Sequence, residues 1–125
     1  MRTAFAPGTV LDPLNEAFTI RLSNASGLIY SASLLPGDLK RTGSFHRFKD
    51  AGAKRGQGIR GGLGLVELRD LPKVQGGVRV TVWAYGDLTT ATVEEMTVEI
   101  TAGDDAIATT AVWIQRRYGW QNPHR

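Results

Sequence analysis

The fold of this chain is decided by the stretch Val78-Arg79-Val80-Thr81-Val82-Trp83-Ala84-Tyr85. Alternate residues of this stretch, beginning with Val78, are aliphatic, and this period of two is typical of a β-strand with one buried face. Because successive side chains of a strand point to opposite faces, we expect the aliphatic set to face the core. Trp83 and Tyr85 belong to the other set and are expected to face outward.

Six further segments of extended character follow at intervals of about ten residues; they are residues 17–23, 28–34, 44–49, 64–69, 96–101 and 106–114. The connections at residues 24–27 and 102–105 have turn chemistry that predicts hairpins. The pattern therefore predicts an all-β fold of about seven strands, in which two antiparallel sheets pack as an Ig-like sandwich or a jelly roll. A small barrel is the alternative, because both architectures bury alternate residues of every strand.

The composition is that of one folded domain. Of the 125 residues, 42% are apolar and 22% are charged, a balance that is typical of globular proteins. The 15 glycines favour many turns and short strands over long helices. We expect residues 1–15, which carry Pro7, Gly8 and Pro13, to form an irregular arm, residues 16–120 to form the sandwich, and residues 121–125 to form a tail.

Residue types that the chain lacks argue against several functions. The absence of cysteine excludes disulfides, thiolate nucleophiles and cysteine-ligated zinc. No stretch approaches the roughly 18 consecutive apolar residues of a membrane span, and residues 1–5 lack the apolar core of a signal peptide. Ser44 and His46 share a strand face without an evident orienting acid, so we predict a non-enzymatic protein with no cofactor and no metal site.

Charged residues are unevenly distributed along the chain. Residues 40–60, here called the basic segment, contain seven Lys and Arg residues and one acid, Asp50. Residues 81–115 contain six acidic residues and no Lys or Arg. The domain is therefore predicted to be electrically bipolar. As its function we expect a structural or interaction module that contacts a protein partner or another copy of itself. In self-association, the basic segment of one copy would contact the acidic loops of the next and build a ring or a filament.

Four cations of the basic segment form a candidate basic patch, Lys49, Lys54, Arg55 and Arg60. Such a patch can bind a polyanion, either nucleic acid or an acidic polysaccharide, although a solvated loop explains it equally well. Residues 56–61 also match G-x-G-x-x-G, but the strand-like sequence after them is not the helix that a nucleotide site needs. We expect the glycine-rich loop at residues 50–62 to be flexible or to form a bulge.

Aromatic residues provide a second candidate site. Outward-facing Trp83 and Tyr85, with Trp120 and Tyr118 in the tail, would form a platform of the kind on which many carbohydrate-binding modules stack sugar rings. The alternative is that the tail folds back and the aromatic rings bury one another. Carbohydrate binding is therefore the second interpretation of the function.

Several phrases of the sequence resemble a family of uncharacterised β-rich domains of secreted bacterial proteins, often present as C-terminal modules. The phrases that carry the resemblance are residues 28–32, 36–37, 48–50, 61–62, 84–88 and 95–98, Trp113, and residues 119–120. The resemblance implies an extracytoplasmic β-sandwich accessory domain, and it transfers neither an activity nor catalytic residues.

Overall fold

The computed structural model describes residues 1–6, 9–71, 77–88, 91–117 and 119–122. Within these ranges the chain forms one short 3₁₀ turn, Ala53–Arg55, and a series of β-strands. The strands are β1 (Arg2–Phe5), β2 (Phe18–Asn24), β3 (Gly27–Leu34), β4 (Lys40–Thr42), β5 (Phe45–Lys49), β6 (Leu63–Asp70), β7 (Val78–Ala84), β8 (Glu95–Ala102), β9 (Asp105–Val112), β10 (Ile114–Arg116) and β11 (Gly119–Gln121).

Two antiparallel sheets pack against each other. One has the strand order β1-β7-β6-β5-β4 and the other the order β3-β2-β8-β9, while β10 and β11 form a separate hairpin. The predicted sandwich is therefore confirmed, and the barrel alternative is wrong, because each of these sheets has two edge strands and neither closes on itself. Seven of the strands, β2, β3 and β5 to β9, correspond to the seven predicted segments.

The core lies between the two sheets and follows the predicted alternation. On β7, Val78, Val80 and Val82 are buried, while Trp83 is 57% exposed. The facing sheet contributes the alternate apolar residues of β2 and β8. The largest side chains that are fully buried are Phe18, Leu34, Leu63, Met96, Ile100, Val66, Val80 and Val98. Their burial from both sheets provides the main driving force for folding.

The shortest strands differ from the prediction. Arg2–Phe5 form β1, which pairs with β7 and buries Thr3 and Phe5, whereas an irregular arm was expected over residues 1–15. The strand β4 and the hairpin β10–β11 were also not predicted, and β11 extends to Gln121 in the expected tail. These strands are three or four residues long, too short for a periodic pattern to be detected, and each is defined by the strand beside it. Residues 123–125 of the expected tail lie outside the described residues.

Two long connections, β5–β6 and β7–β8, lie at one end of the sandwich. Leu63 at the start of β6 pairs with Ala84 at the end of β7, so the glycine-rich loop and the segment after β7 leave the sandwich together. In the other sheet, Glu95 at the start of β8 pairs with Val112 at the end of β9. Trp113, directly after β9, donates its backbone N–H to the Glu94 carbonyl oxygen at 2.8 Å. We call this the loop end.

Across the described ranges, no helix has the length and apolar character needed to cross a bilayer.

The closest backbone approach at the loop end requires glycine. Gly62 has φ +93°, and a β-carbon there would lie 1.9 Å from the Tyr85 carbonyl oxygen. The Tyr85 N–H in turn donates to the Gly62 carbonyl oxygen at 2.8 Å. A side chain at position 62 would therefore have to separate the two segments.

We expect Gly62→Ala to lower the free energy of unfolding by about 3 kcal/mol or more, because backbone strain and the clash add together. Gly43→Ala is the matched control, since Gly43 has φ +61° but has no atom within 4 Å of a β-carbon built there. It should cost only about 1 kcal/mol. Urea denaturation measures both values, and equal losses would contradict the proposed clash.

Candidate ligand-binding cleft

A recess of about 230 Å³ opens between the sheets at the loop end. Its aromatic lining consists of Tyr30, Trp83, Tyr85, Trp113 and Trp120, and we call it the aromatic cleft. Aliphatic side chains from β2, β7 and β8 complete it; they are Ile20, Leu22, Val82 and Val98. The chain has three tryptophans, and all three line this recess.

The predicted platform residues reach the aromatic cleft from two directions. Trp83 and Tyr85 come from the end of β7 and remain 57% and 38% exposed. Trp120 lies on β11 opposite Gln115 and is half-buried. The C-terminal segment thus folds back over the loop end, as the burial alternative expected, yet the two aromatic residues at the end of β7 stay open to solvent.

Glycines hold the two tyrosine rings in place. A β-carbon on Gly64 would lie 2.8 Å from Cε2 of Tyr85, so the ring packs directly against the backbone of β6. The Tyr30 hydroxyl donates to the Gly61 carbonyl oxygen at 2.7 Å, and Gly86 packs against the Tyr30 ring. Burial raises the pKa of Tyr30 to about 12, so this hydroxyl remains a donor at neutral pH. A register shift in β6 between Leu63 and Leu65 lies beside this contact, just after the glycine-rich loop for which a flexible loop or a bulge was expected.

Trp113 contributes an unusual polar group. The residue is buried, with 6% of its surface exposed. Its Nε1 is a buried donor with no hydrogen-bond partner in the described part of the protein. An unsatisfied buried donor costs about 1–3 kcal/mol, which natural structures normally avoid. Less than 1 Å² of the Nε1 atom is accessible, so an acceptor atom supplied from elsewhere reaches this donor only if the side chains around it move.

A second recess of about 400 Å³ adjoins the aromatic cleft. The two recesses share five residues, Ala84, Tyr85, Gly86, Leu88 and Trp120. The second recess adds Lys54 from the glycine-rich loop and Gly119 from β11. The structure thus brings one residue of the predicted basic patch beside the predicted aromatic platform.

The rest of the predicted basic patch does not join this site. Arg60 pairs with Asp38, with Nε of Arg60 2.5 Å from Oδ2 of the carboxylate. Lys49 and Arg55 are exposed and line neither recess. Only Lys54 is placed where it can contact a ligand of the aromatic cleft.

The acidic residues are divided between the two ends of the sandwich. Glu94 and Glu95 lie at the loop end, the same end of the sandwich as the basic segment's glycine-rich loop. Asp104 and Asp105 lie in the β8–β9 turn at the opposite end. This division does not give the simple basic and acidic ends that the distribution along the chain suggested.

Two cleft residues were not predicted as site residues. Tyr30 was assigned only to a strand, and Trp113 only to the end of one, because their convergence depends on how the two sheets pack. Tyr118, which we expected near the platform, lies outside the described residues. Among the described residues, no three His, Asp or Glu side chains group closely enough to hold a metal ion.

Comparison of the chain with protein-family models, with curated proteins and with solved structures finds no match. The resemblance to accessory domains of secreted bacterial proteins therefore stays a prediction.

Asp38 anchors the glycine-rich loop to the turn after β3. It accepts hydrogen bonds from Arg60 and from the Leu35 backbone N–H, the latter at 2.8 Å. The hydrogen bond from Arg60 is the main reason that the pKa of Asp38 lies below its ordinary value. A lowered pKa in the folded state stabilises the fold above the unfolded-state pKa, and this stabilisation is lost as the pH falls through the folded-state pKa.

We therefore expect Asp38→Asn to lower the melting temperature by about 3 °C at pH 7, with the difference from wild type shrinking as the pH falls below the ordinary range of an aspartate pKa. Asp104→Asn, an exposed change in the β8–β9 turn, should have no such effect. Thermal melts followed by circular dichroism from pH 3 to 8 give both profiles. A difference that is independent of pH would show that the charge of Asp38 is not what matters.

Proposed function

We propose that this protein is a non-catalytic carbohydrate-binding domain whose binding site is the aromatic cleft. The observation that carries the proposal is the convergence of three tryptophans and two tyrosines on one recess at the loop end. Trp83 and Tyr85 are exposed there although large aromatic side chains gain most from burial. A location outside the cytoplasm, which the sequence resemblance implies, is part of the proposal.

The chemistry of the lining suits a sugar. One face of a pyranose ring presents C–H groups that pack on an aromatic ring, while its edge presents hydroxyls that need hydrogen-bond partners. Rigid, largely apolar walls with a few polar groups are the usual form of a small-molecule site. The rings of Tyr30 and Tyr85 are fixed by contacts with glycine, so little conformational entropy is lost when a ligand binds.

Trp113 provides the polar partner that a sugar requires. Its indole N–H has no acceptor among the described residues, and the residue lines the aromatic cleft, so a small shift of the lining would expose this donor to a ligand. A hydroxyl oxygen of a bound sugar is a suitable acceptor, and a hydrogen bond to it would remove the cost of the unsatisfied donor.

Hexasaccharides of glucose, xylose, N-acetylglucosamine and methyl-esterified galacturonate test the proposal. We expect at least one to change the tryptophan fluorescence, because every tryptophan of the chain lies at the cleft. In calorimetric titrations, Tyr85→Ala should weaken binding about tenfold, the equivalent of one lost aromatic contact. Tyr85→Phe, which keeps the ring, should bind within about twofold of wild type. Trp113→Phe should also weaken binding, because it removes the donor.

The absence of both a fluorescence change and calorimetric heat with all four hexasaccharides, in a sample that melts cooperatively, contradicts the proposal. Equal binding by Tyr85→Ala and wild type contradicts the assignment of the site.

Self-association is a second candidate function, and the edge strand β9 favours it. Sheet edges normally carry charges, are short, or are covered, because an open edge pairs with other chains. β1 and β4 are short and basic, and β3, although eight residues long and uncharged, begins with glycine and contacts Gly61 through Tyr30 and Ala32. In contrast, β9 is eight residues long and has no charged residue, proline or glycine after Asp105.

The β9 edge is compatible with a second copy of itself. In an antiparallel pairing about a two-fold axis at Thr109, Ala106 would lie opposite Val112 and Ala108 opposite Thr110. No like charges would face each other in this arrangement. The contact between the two copies would then involve uncharged residues, rather than the basic segment and the acidic loops.

Light scattering coupled to size-exclusion chromatography tests this candidate. We expect a dimer of the 13.6 kDa chain at both about 50 mM and about 500 mM salt, because a neutral contact is not screened. Thr110→Lys should give a monomer, whereas Ser31→Lys on the β3 edge should remain a dimer. A wild-type monomer at both salt concentrations excludes self-association, and a dimer that dissociates only at high salt favours the charge-driven contact.

A further inference from the structure

The second recess extends the aromatic cleft toward the positively charged side chain of Lys54. Lys54 is the only charged side chain among the described residues that line the two recesses, and no Asp or Glu lines either of them. Tyr85 and Trp120 lie in both recesses, so a ligand stacked on them would extend past Lys54. The lysine is exposed and has no ion pair or hydrogen bond in the described part of the chain.

Hydrogen bonds link residues within the loop that carries Lys54, and one buried side chain connects this loop to the rest of the domain. The carboxylate of Asp50 accepts the backbone N–H groups of Gly52 and Ile59, each at 3.0 Å. Ala53 is 2% exposed, which fixes the 3₁₀ turn against the domain directly before Lys54. The backbone of Lys54 is therefore held at the rim of the second recess, and only its side chain needs to be ordered by a ligand.

We infer that the sugar bound by the aromatic cleft is a uronic acid whose carboxylate pairs with Lys54. This inference rests on the proposed carbohydrate-binding function and assigns the class of sugar. A uronic acid combines a pyranose ring that can stack on Tyr85 or Trp120 with one negative charge per residue. One lysine beside two aromatic rings matches this combination.

A densely charged polyanion fits the site less well. Nucleic acid binding depends on neutralising several phosphates at once. Other cations of the basic patch do not line the site, because Arg60 pairs with Asp38 and Lys49 and Arg55 line neither recess. The geometry thus favours sparse charge on a stacked sugar.

Two matched ligands isolate the role of the carboxylate. These are the hexamer of α-1,4-linked galacturonate and its fully methyl-esterified form, which has the same rings without the charges. We expect wild-type protein to bind the acid about fivefold more tightly than the ester at about 20 mM salt, as for one exposed ion pair. At about 500 mM salt this preference should fall below about twofold.

Variants locate the effect. Lys54→Gln should bind the two hexamers equally, with an affinity for the ester that matches wild type. Lys40→Gln is the control, because Lys40 is exposed on β4 and lines neither recess. It should retain the full preference for the acid.

The outcomes separate this inference from the proposal on which it rests. If wild type binds the ester as tightly as the acid, the cleft binds sugars but the assignment of a uronic acid is wrong. If Lys54→Gln retains the preference, another group recognises the carboxylate and the inference is again wrong. If neither hexamer nor any of the neutral hexasaccharides binds, the proposed function itself fails.

Discussion

The contact between Gly62 and Tyr85 is the constraint on which the loop end depends. The backbones of β6 and β7 meet there more closely than any side chain at position 62 would allow. This approach fixes the Tyr85 ring against Gly64 and sets the point at which β7 leaves the five-stranded sheet. The carbonyl oxygen of Gly61 accepts a hydrogen bond from the hydroxyl of Tyr30, which lies in the opposite sheet. The glycines at residues 61–64 therefore create the space that the aromatic residues occupy.

The core strands were predictable from the sequence because the alternation that identifies each strand lies within its own residues. The strands β2, β7 and β8 each show alternation over six or more residues, and the faces that this alternation predicts are the faces that are buried. The strands β1 and β4 contain too few residues for such a pattern, and they form because a longer strand lies beside them. Local pattern thus predicts the strands that build the core but not those that complete the sheet edges.

The candidate site was predictable only in part. The period of two in β7 placed Trp83 and Tyr85 outside the core, which is where they lie. The position of Trp113 in the aromatic cleft depends on how the two sheets pack. The positions of the tyrosine rings depend on contacts with glycines that are distant in sequence. Proximity in sequence does not predict which cations share a site. Arg60 and Lys54 are close in the chain, but Arg60 pairs with Asp38 whereas Lys54 lines the second recess.

The direction of β9 has a consequence for how many ligands an assembly could engage. This strand runs toward the loop end, where Val112 is followed directly by Trp113 of the cleft. Antiparallel pairing through β9 would make the two clefts of a dimer face in opposite directions. Such a dimer could not place both sites on one flat surface and gain avidity there, but it could bridge two separate polymer chains. A protein that dimerises through this edge and binds polymer chains in this cleft would cross-link them rather than anchor to one surface.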